Sequence, residues 1–236
     1  MDPRALSKVQ GILFDLGGTL DGDGEHWLNR FSLIYREHLP AVAWDRLKAA
    51  FYEAEDRCLT DPLVPSLDLA GLVRFHVGRQ LASLRINHPE MHRIISKKFL
   101  QAARAKLHRN ARVLARLAGR FRLGVVTNFY GNAAAILAET GIAAWLQVIV
   151  DSNVAGVRKP DPAIFSLALA ALGCAPEGAA YVGDSYQQDI RPARGAGLVT
   201  IWLRNDAMSA PLPPDFVPDL ADYEIRTLPQ IESLMP

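Results

Sequence analysis

Cysteine is nearly missing from this sequence. Cys58 and Cys174 are the only two among 236 residues, and their placement matches no metal-binding or redox pair. That excludes a disulfide-stapled fold and suits a reducing, cytoplasmic setting. Charge of one sign is missing too: the formal net charge is +1, which argues against nucleic acid as an electrostatic partner. No apolar run is long enough to span a bilayer, so no membrane partner is expected. The opening residues, Met1 to Lys8, lack the apolar segment of a secretory leader. Internal repeats and low-complexity tracts are also missing.

What is present is hydrophobicity. Half of the residues are hydrophobic, enough to bury the core of one large domain, or of one domain plus an insertion. Residues 9–15 read as a short buried strand ending at Asp15. Asp21-Gly22-Asp23-Gly24 reads as a solvated hinge. From His26 to Arg57 apolar residues recur at helical steps (Trp27, Leu28, Phe31, Ile34, Tyr35, Leu39). A second helical stretch starts near Ser66, and Pro89 interrupts it before Met91, Ile94, Ile95 and Phe99 resume the spacing. Residues 22–105 are therefore expected to be an all-helical insertion.

Beyond it, strands and helices alternate. Strands are expected at 121–126, 146–150, 179–182, 198–203 and 223–225, and helices at 132–141, 162–172, 187–195 and within 228–235. Alternation of this kind implies an α/β fold with a parallel sheet covered on both faces.

Three of the strands end in polar residues: Asp15, Thr127-Asn128 and Gly183-Asp184. Ligands of open α/β sheets bind beyond the carboxyl ends of the strands. A single such end reads best as a helix cap. Three ends, with Lys159 in a proline-flanked loop, read as a site. A carboxylate attacks phosphorus when the phosphoryl charge is neutralised. Mg2+ does this with one or two carboxylates, its other positions filled by water and phosphate. Asp15, Asp184 and Asp189 could supply the carboxylates, Lys159 a clamping charge, and the Thr127 hydroxyl and Asn128 backbone N–H a seat for phosphoryl oxygen.

This set resembles the haloacid dehalogenase (HAD) superfamily, whose members are mostly phosphatases. Phe14-Asp15-Leu16-Gly17-Gly18-Thr19-Leu20 is similar to its first motif, Val125-Val126-Thr127-Asn128 to the second, and Lys159-Pro160-Asp161-Pro162 to the third. Tyr181-Val182-Gly183-Asp184-Ser185 with Asp189 is similar to the fourth. The order and spacing of all four agree over residues 9–203. The resemblance implies a Rossmann-like parallel-sheet core (1–21 and 106–236) with a small all-helical cap domain (22–105). It also implies an aspartyl-phosphate intermediate at Asp15 and Mg2+ held by Asp15, Asp184 or Asp189 and the backbone carbonyl of Gly17. Asp15 and Lys159 are then the catalytic residues. Gly18, Thr127 and Asn128 face the phosphate, and the substrate is a small phosphorylated molecule.

One position departs from the family pattern. The first motif usually reads Asp-x-Asp-Gly-Thr, and the second acid is Gly17 here. In the family's phosphatases that acid protonates the leaving alcohol and then activates water. General acid–base help of this kind is commonly worth ~10²–10⁴ in rate, so slow hydrolysis of ordinary phosphate monoesters is expected. Four accounts compete. Asp21, Asp23 or His26 could supply the proton. The substrate could be an acyl phosphate, whose leaving group needs little protonation. The chemistry could be dehalogenation, or phosphonate hydrolysis through a cap lysine such as Lys48, Lys97 or Lys98. Finally, the protein could bind a phosphorylated ligand or partner without turnover.

Three remaining features have bland readings. The basic run Arg104, Lys106, His108, Arg109, Arg112, Arg116, Arg120 and Arg122 reads as a solvated helix face. His88 and His92 lack a third ligand for a metal. Trp27, Phe31, Tyr35, Phe51 and Tyr52 read as cap core rather than pocket lining.

Overall fold

The computed structural model describes residues 6–205, 216–217 and 220–235. Met1 to Ala5, part of the segment read above for a leader, lie outside the described residues. Six strands form one sheet: β1 (Gly11–Phe14), β2 (Arg122–Thr127), β3 (Val148–Asp151), β4 (Ala179–Gly183), β5 (Val199–Leu203) and β6 (Tyr223–Ile225). Their order is β3-β2-β1-β4-β5-β6, and every pairing is parallel. This is the Rossmann-like α/β sheet expected from the alternation of elements.

β1 is central and apolar on both faces, as a strand covered on two sides must be. Ile12 and Phe14 join the hydrophobic cluster that runs into the helical insertion. Leu13 points the other way, into a cluster with Ile164, Phe165, Ala168 and Leu172. The alternation follows from the two-residue period of a strand.

Between β1 and β2 lie four helices: α1 (Trp27–His38), α2 (Trp44–Thr60), α3 (Leu69–Ser83) and α4 (Pro89–Leu117). The helical run expected from His26 to Arg57 is thus two helices. The chain breaks around Pro40, which cannot continue a helix. Pro89 does not interrupt a helix but opens one, as the first residue of α4. There the missing N–H costs nothing, and the His88 ring accepts the Met91 amide as the cap. α4 runs unbroken for 29 residues, so residue 105 lies inside a continuous helix. The remaining helices are α5 (Ala133–Glu139), α6 (Ser152–Ala155), α7 (Ala163–Leu172), α8 (Arg191–Gly195) and α9 (Ile231–Leu234). Among the described residues, no helix is long and apolar enough to cross a membrane.

The stretch Asp21–Gly24 is not a solvated hinge. It is buried and fastened to α4. Both carboxylate oxygens of Asp23 accept from Arg109 at 2.6 Å. Lys106 donates to the Gly22 carbonyl at 2.6 Å and to Glu25 at 2.8 Å, and Asn110 donates to the Leu20 carbonyl at 2.7 Å. Two members of the basic run, Lys106 and Arg109, therefore serve an internal acidic turn rather than solvent. Acidic residues near a basic helix face gain more by pairing there than by staying hydrated, because the apolar packing of Leu20 and Trp27 already draws the turn inward.

Candidate active site

The register of the sheet brings the polar strand ends together. Phe14 pairs with Val125 on one side and Val182 on the other, so Asp15 emerges between the ends of β2 and β4. The Asp15 amide donates to the Val182 carbonyl at 2.9 Å, extending the ladder by one bond. This is the place where the strand order reverses, and where open sheets leave a crevice.

Lys159 reaches into the crevice from the loop before α7. Its ammonium donates to Asp15 at 2.8 Å, to Asp189 at 2.5 Å and to the Tyr181 hydroxyl at 2.9 Å. All three donor positions are used on buried partners. Burial pulls the lysine's pKa down, but the charges of Asp15 and Asp189 more than offset that and hold it above its ordinary value. Burial pushes the Asp15 carboxyl up to about 6; Lys159 opposes this and the charge of Asp189 adds to it. Asp184 is pushed up well above the usual carboxylate range, first by burial and then by the charges of Asp189 and Asp15.

Asp184 follows β4 directly, and its Oδ1 accepts from the Thr19 hydroxyl at 3.0 Å. Gly18 lies beneath it with φ +83°, and a Cβ there would stand 2.5 Å from Asp184 Oδ2. Glycine is required on both counts, backbone conformation and space. Asp189 is tied on both oxygens. Oδ1 takes Lys159 and Tyr181, and Oδ2 takes the Ser185 amide at 2.9 Å.

Thr127 and Asn128 sit beside this group. The Thr127 side chain helps to hold the Asp15 pKa down. The Asn128 side chain clasps the lysine's backbone: its Oδ1 accepts the Lys159 amide at 2.8 Å and its Nδ2 donates to the Lys159 carbonyl at 2.9 Å. The sequence reading gave Asn128 only a backbone role and did not foresee this clasp. It missed Tyr181 as well, although a tyrosine between Ala180 and Val182 in a fully buried strand is a signal that its hydroxyl has a polar partner.

Carboxylate oxygens of Asp15, Asp184 and Asp189 come within 4.8 Å of one another. Lys159 offsets part of the charge on Asp15 and Asp189, and the part-buried Asp184 beside them leaves an excess of negative charge that a further cation would neutralise. An all-oxygen set suits a hard divalent ion such as Mg2+, so the residues present fit that ion.

Gly17 lies on the rim with φ −73° and ψ 122°, a conformation any residue adopts. A Cβ there would meet nothing closer than Trp27 Nε1 at 3.8 Å. Neither strain nor crowding demands glycine at this position. Of the substitute acids, Asp21 is engaged elsewhere: it accepts from the Gly18 amide at 2.7 Å and from the Trp27 indole at 2.6 Å. Asp23 is held by Arg109. His26 lines the pocket, but its Nδ1 accepts the Leu28 amide and burial lowers its pKa.

The pocket over Asp15 has a volume of about 550 Å³. Trp27, Phe51, Tyr52 and Glu55 from the insertion form one wall, and Phe129, Tyr130 and Arg158 from the sheet side form another. Of the five aromatics read as cap core, Trp27, Phe31, Tyr35 and Phe51 are buried in the core cluster, and Trp27, Phe51 and the exposed Tyr52 also line the pocket. No lysine of the insertion lines this pocket among the described residues. Lys98 pairs with Glu37 at the surface instead. His88 and His92 are apart from it, capping α4 and contacting the Arg74 carbonyl.

A parallel sheet with three acids and one buried lysine gathered at the β1 crevice defines a Rossmann-like α/β protein with a site at the carboxyl ends of its strands. The chain belongs to the haloacid dehalogenase-like hydrolase family, whose model matches residues 9–197. It is 40% identical over 98 residues to a phosphoserine phosphatase of Thermus thermophilus, a match covering 42% of this chain and 39% of that protein. It is 26% identical over 208 residues to a phosphoglycolate phosphatase of Salmonella typhimurium, covering 84% of this chain and 82% of that protein. In three dimensions it resembles a 2-haloacid dehalogenase of Pseudomonas syringae with a TM-score of 0.51 and 24% identity, over 96% of this chain and 98% of the other. The first of these relatives is matched over well under two thirds of its length, and the structural likeness speaks for the fold alone.

Proposed function

We propose that the protein is a phosphatase acting on a small phosphorylated metabolite of the cytoplasm, with Asp15 as nucleophile and residues 22–105 as a cap over a core of 1–21 and 106–236. The observation that carries this reading is the Asp15 carboxylate held at 2.8 Å by Lys159, with oxygens of two further carboxylates, Asp184 and Asp189, within 4.8 Å. Phosphatases among the matched relatives support it.

Mg2+ held by Asp15, Asp184 and the Gly17 carbonyl, with Asp189 behind them, would neutralise charge on the phosphoryl oxygens. The chain's own residues do the rest. Lys159 holds Asp15 ionised and in place, and Tyr181, Asp189 and the Asn128 clasp hold Lys159. The Asp15 oxygen attacks phosphorus, and the bond to the leaving oxygen breaks with its electron pair. Position 17 offers no proton, so the leaving oxygen takes one from solvent. Water then attacks the phosphoryl group on Asp15, releases phosphate and restores the carboxylate.

The missing acid makes leaving-group ability decisive. With Mg2+, aryl and acyl phosphates should turn over much faster than alkyl phosphates, and Asp15→Asn should remove all of it. Surviving activity in that variant would overturn the covalent route. Gly17 also favours a second reading, a phospho-ligand-binding protein without turnover. No hydrolysis of any phosphate, with Mg2+ binding retained, would select it.

A further inference from the structure

A polar chain buried in the insertion ends in the pocket and takes no part in the chemistry above. The Gln80 amide donates to His76 Nδ1 at 2.7 Å, and the opposite ring nitrogen, Nε2, donates to Glu55 Oε1 at 3.0 Å. The Tyr130 hydroxyl donates to the same Glu55 oxygen at 2.5 Å. His76 and Gln80 are fully buried. Oε1 is therefore saturated by two donors, while Oε2 has no protein partner among the described residues.

Glu55 lines the pocket, with 28% of its side chain accessible. Burial pushes its carboxyl up, but the hydrogen bond and charge of His76, the bond from Tyr130 and the charge of His26 more than offset this and keep it below its ordinary value. The pocket wall thus presents a carboxylate with one oxygen left open to a ligand. Burial lowers the pKa of His26, which also lines the pocket. A part-buried carboxylate is costly unless a cation completes it. Around it stand Trp27, Phe51, Tyr52, Phe129 and Tyr130, whose ring faces favour cations and repel anions. Arg158 also lines the pocket, is exposed and has no side-chain partner among the described residues.

We propose that Glu55 is a specificity residue whose free oxygen receives the protonated amine of an amino-alcohol phosphate while the phosphoryl end lies at Asp15. This deepens the phosphatase reading and rests on it. Gln80 and His76 are positioning residues: they orient the carboxylate so that one oxygen is left for the ligand.

The test compares O-phosphoethanolamine with n-propyl phosphate, which replaces the ammonium by a methyl group, and with 2-phosphoglycolate, which carries a carboxylate. With Mg2+, kcat/KM for the amine should exceed that for the propyl ester by about 10- to 100-fold, the equivalent of one charge-assisted hydrogen bond. In Glu55→Gln the ratio should fall to about one. The comparison on unaltered protein stands even if that variant does not fold. Equal rates for amine and propyl esters, or a preference for phosphoglycolate, overturn the inference and leave the phosphatase reading intact. If no phosphate ester is hydrolysed, aryl phosphates included, the phosphatase reading fails. Calorimetric binding of the amine and propyl esters then decides, and equal affinities overturn the inference.

Discussion

The Trp27 indole N–H donates to Asp21 Oδ2 at 2.6 Å, and the Gly18 amide donates to Oδ1 of the same carboxylate at 2.7 Å. Asp21 thereby pins the first helix of the insertion to the turn that follows the nucleophile. Both donors are buried and would be orphaned by Asp21→Ala. The expected cost is about 1–3 kcal/mol for each donor left unpaired, read from chemical denaturation. A variant as stable as the parent would refute the pin.

Gly17 and Gly18 are expected to behave oppositely. The space at Gly17 is open, with Trp27 Nε1 at 3.8 Å and Phe129 Cε2 at 4.0 Å as nearest neighbours of a Cβ. Gly17→Asp should fold normally and raise turnover of alkyl phosphates by ~10²–10⁴, with a smaller gain on aryl phosphates. Gly18→Ala should abolish turnover, since its Cβ would collide with Asp184 and the left-handed backbone costs a further ~1–2 kcal/mol. Steady-state kinetics on the two substrate types tests both. No gain in Gly17→Asp would show that the missing acid is not what limits the rate.

Stability should depend on pH in an unusual direction. Burial, aided by Asp189 and opposed by Lys159, pushes the Asp15 carboxyl up to about 6 from its ordinary 3.8. A carboxyl that holds its proton more tightly in the folded chain favours folding in acid. That contribution is fully present below the unfolded value and is lost as pH rises through about 6. Without divalent cations, Asp15 should cost roughly 1–2 kcal/mol of stability between about pH 5 and about pH 7.5. Mg2+ binds the ionised carboxylates and should restore it at the higher pH. Denaturant titrations at the two pH values, with chelator and with Mg2+, measure this. A metal-free protein that gains stability over that range would contradict the assignment.

Asp184→Asn separates repulsion from metal binding. Asp184 is part-buried beside Asp15 and Asp189, and both raise its pKa after burial itself. Asparagine still accepts from Thr19 but carries no charge. In chelator the variant should therefore melt higher than the parent, by roughly the few degrees that ~1 kcal/mol gives in a chain of this size. It should also lose most of the Mg2+-dependent rise in melting temperature. Thermal scans with and without Mg2+ report both, and an undiminished Mg2+ response would remove Asp184 from the metal site.

The sheet was legible because its signal is local. An apolar run ending in Asp15, Thr127 or Gly183 specifies a buried parallel strand whatever the rest of the chain does, and those ends converge because parallel pairing aligns them. The clasp of Asn128 on Lys159 was not legible, since it depends on a loop conformation 31 residues away. The burial of Asp21–Gly24 was hidden for a similar reason: glycines and acids read as solvated until Lys106, Arg109 and Asn110 are placed against them. The helical insertion showed as a helical texture, but its breaks did not. Pro40 separates two helices and Pro89 starts one, and the 3.6-residue apolar period does not distinguish these roles. Glu55, His76 and Gln80 lie on that same period and looked like ordinary helix positions.

The most direct test of the account is to find the phosphoryl group on the protein. The protein with Mg2+ should be mixed with an acyl phosphate, quenched in acid within the turnover time, digested and examined by mass spectrometry. The expected result is the added mass of one phosphoryl group on the peptide containing Asp15, missing in Asp15→Asn and discharged on returning the protein to neutral buffer. Hydrolysis of the acyl phosphate with Asp15 never labelled, or a label on another residue, would contradict it.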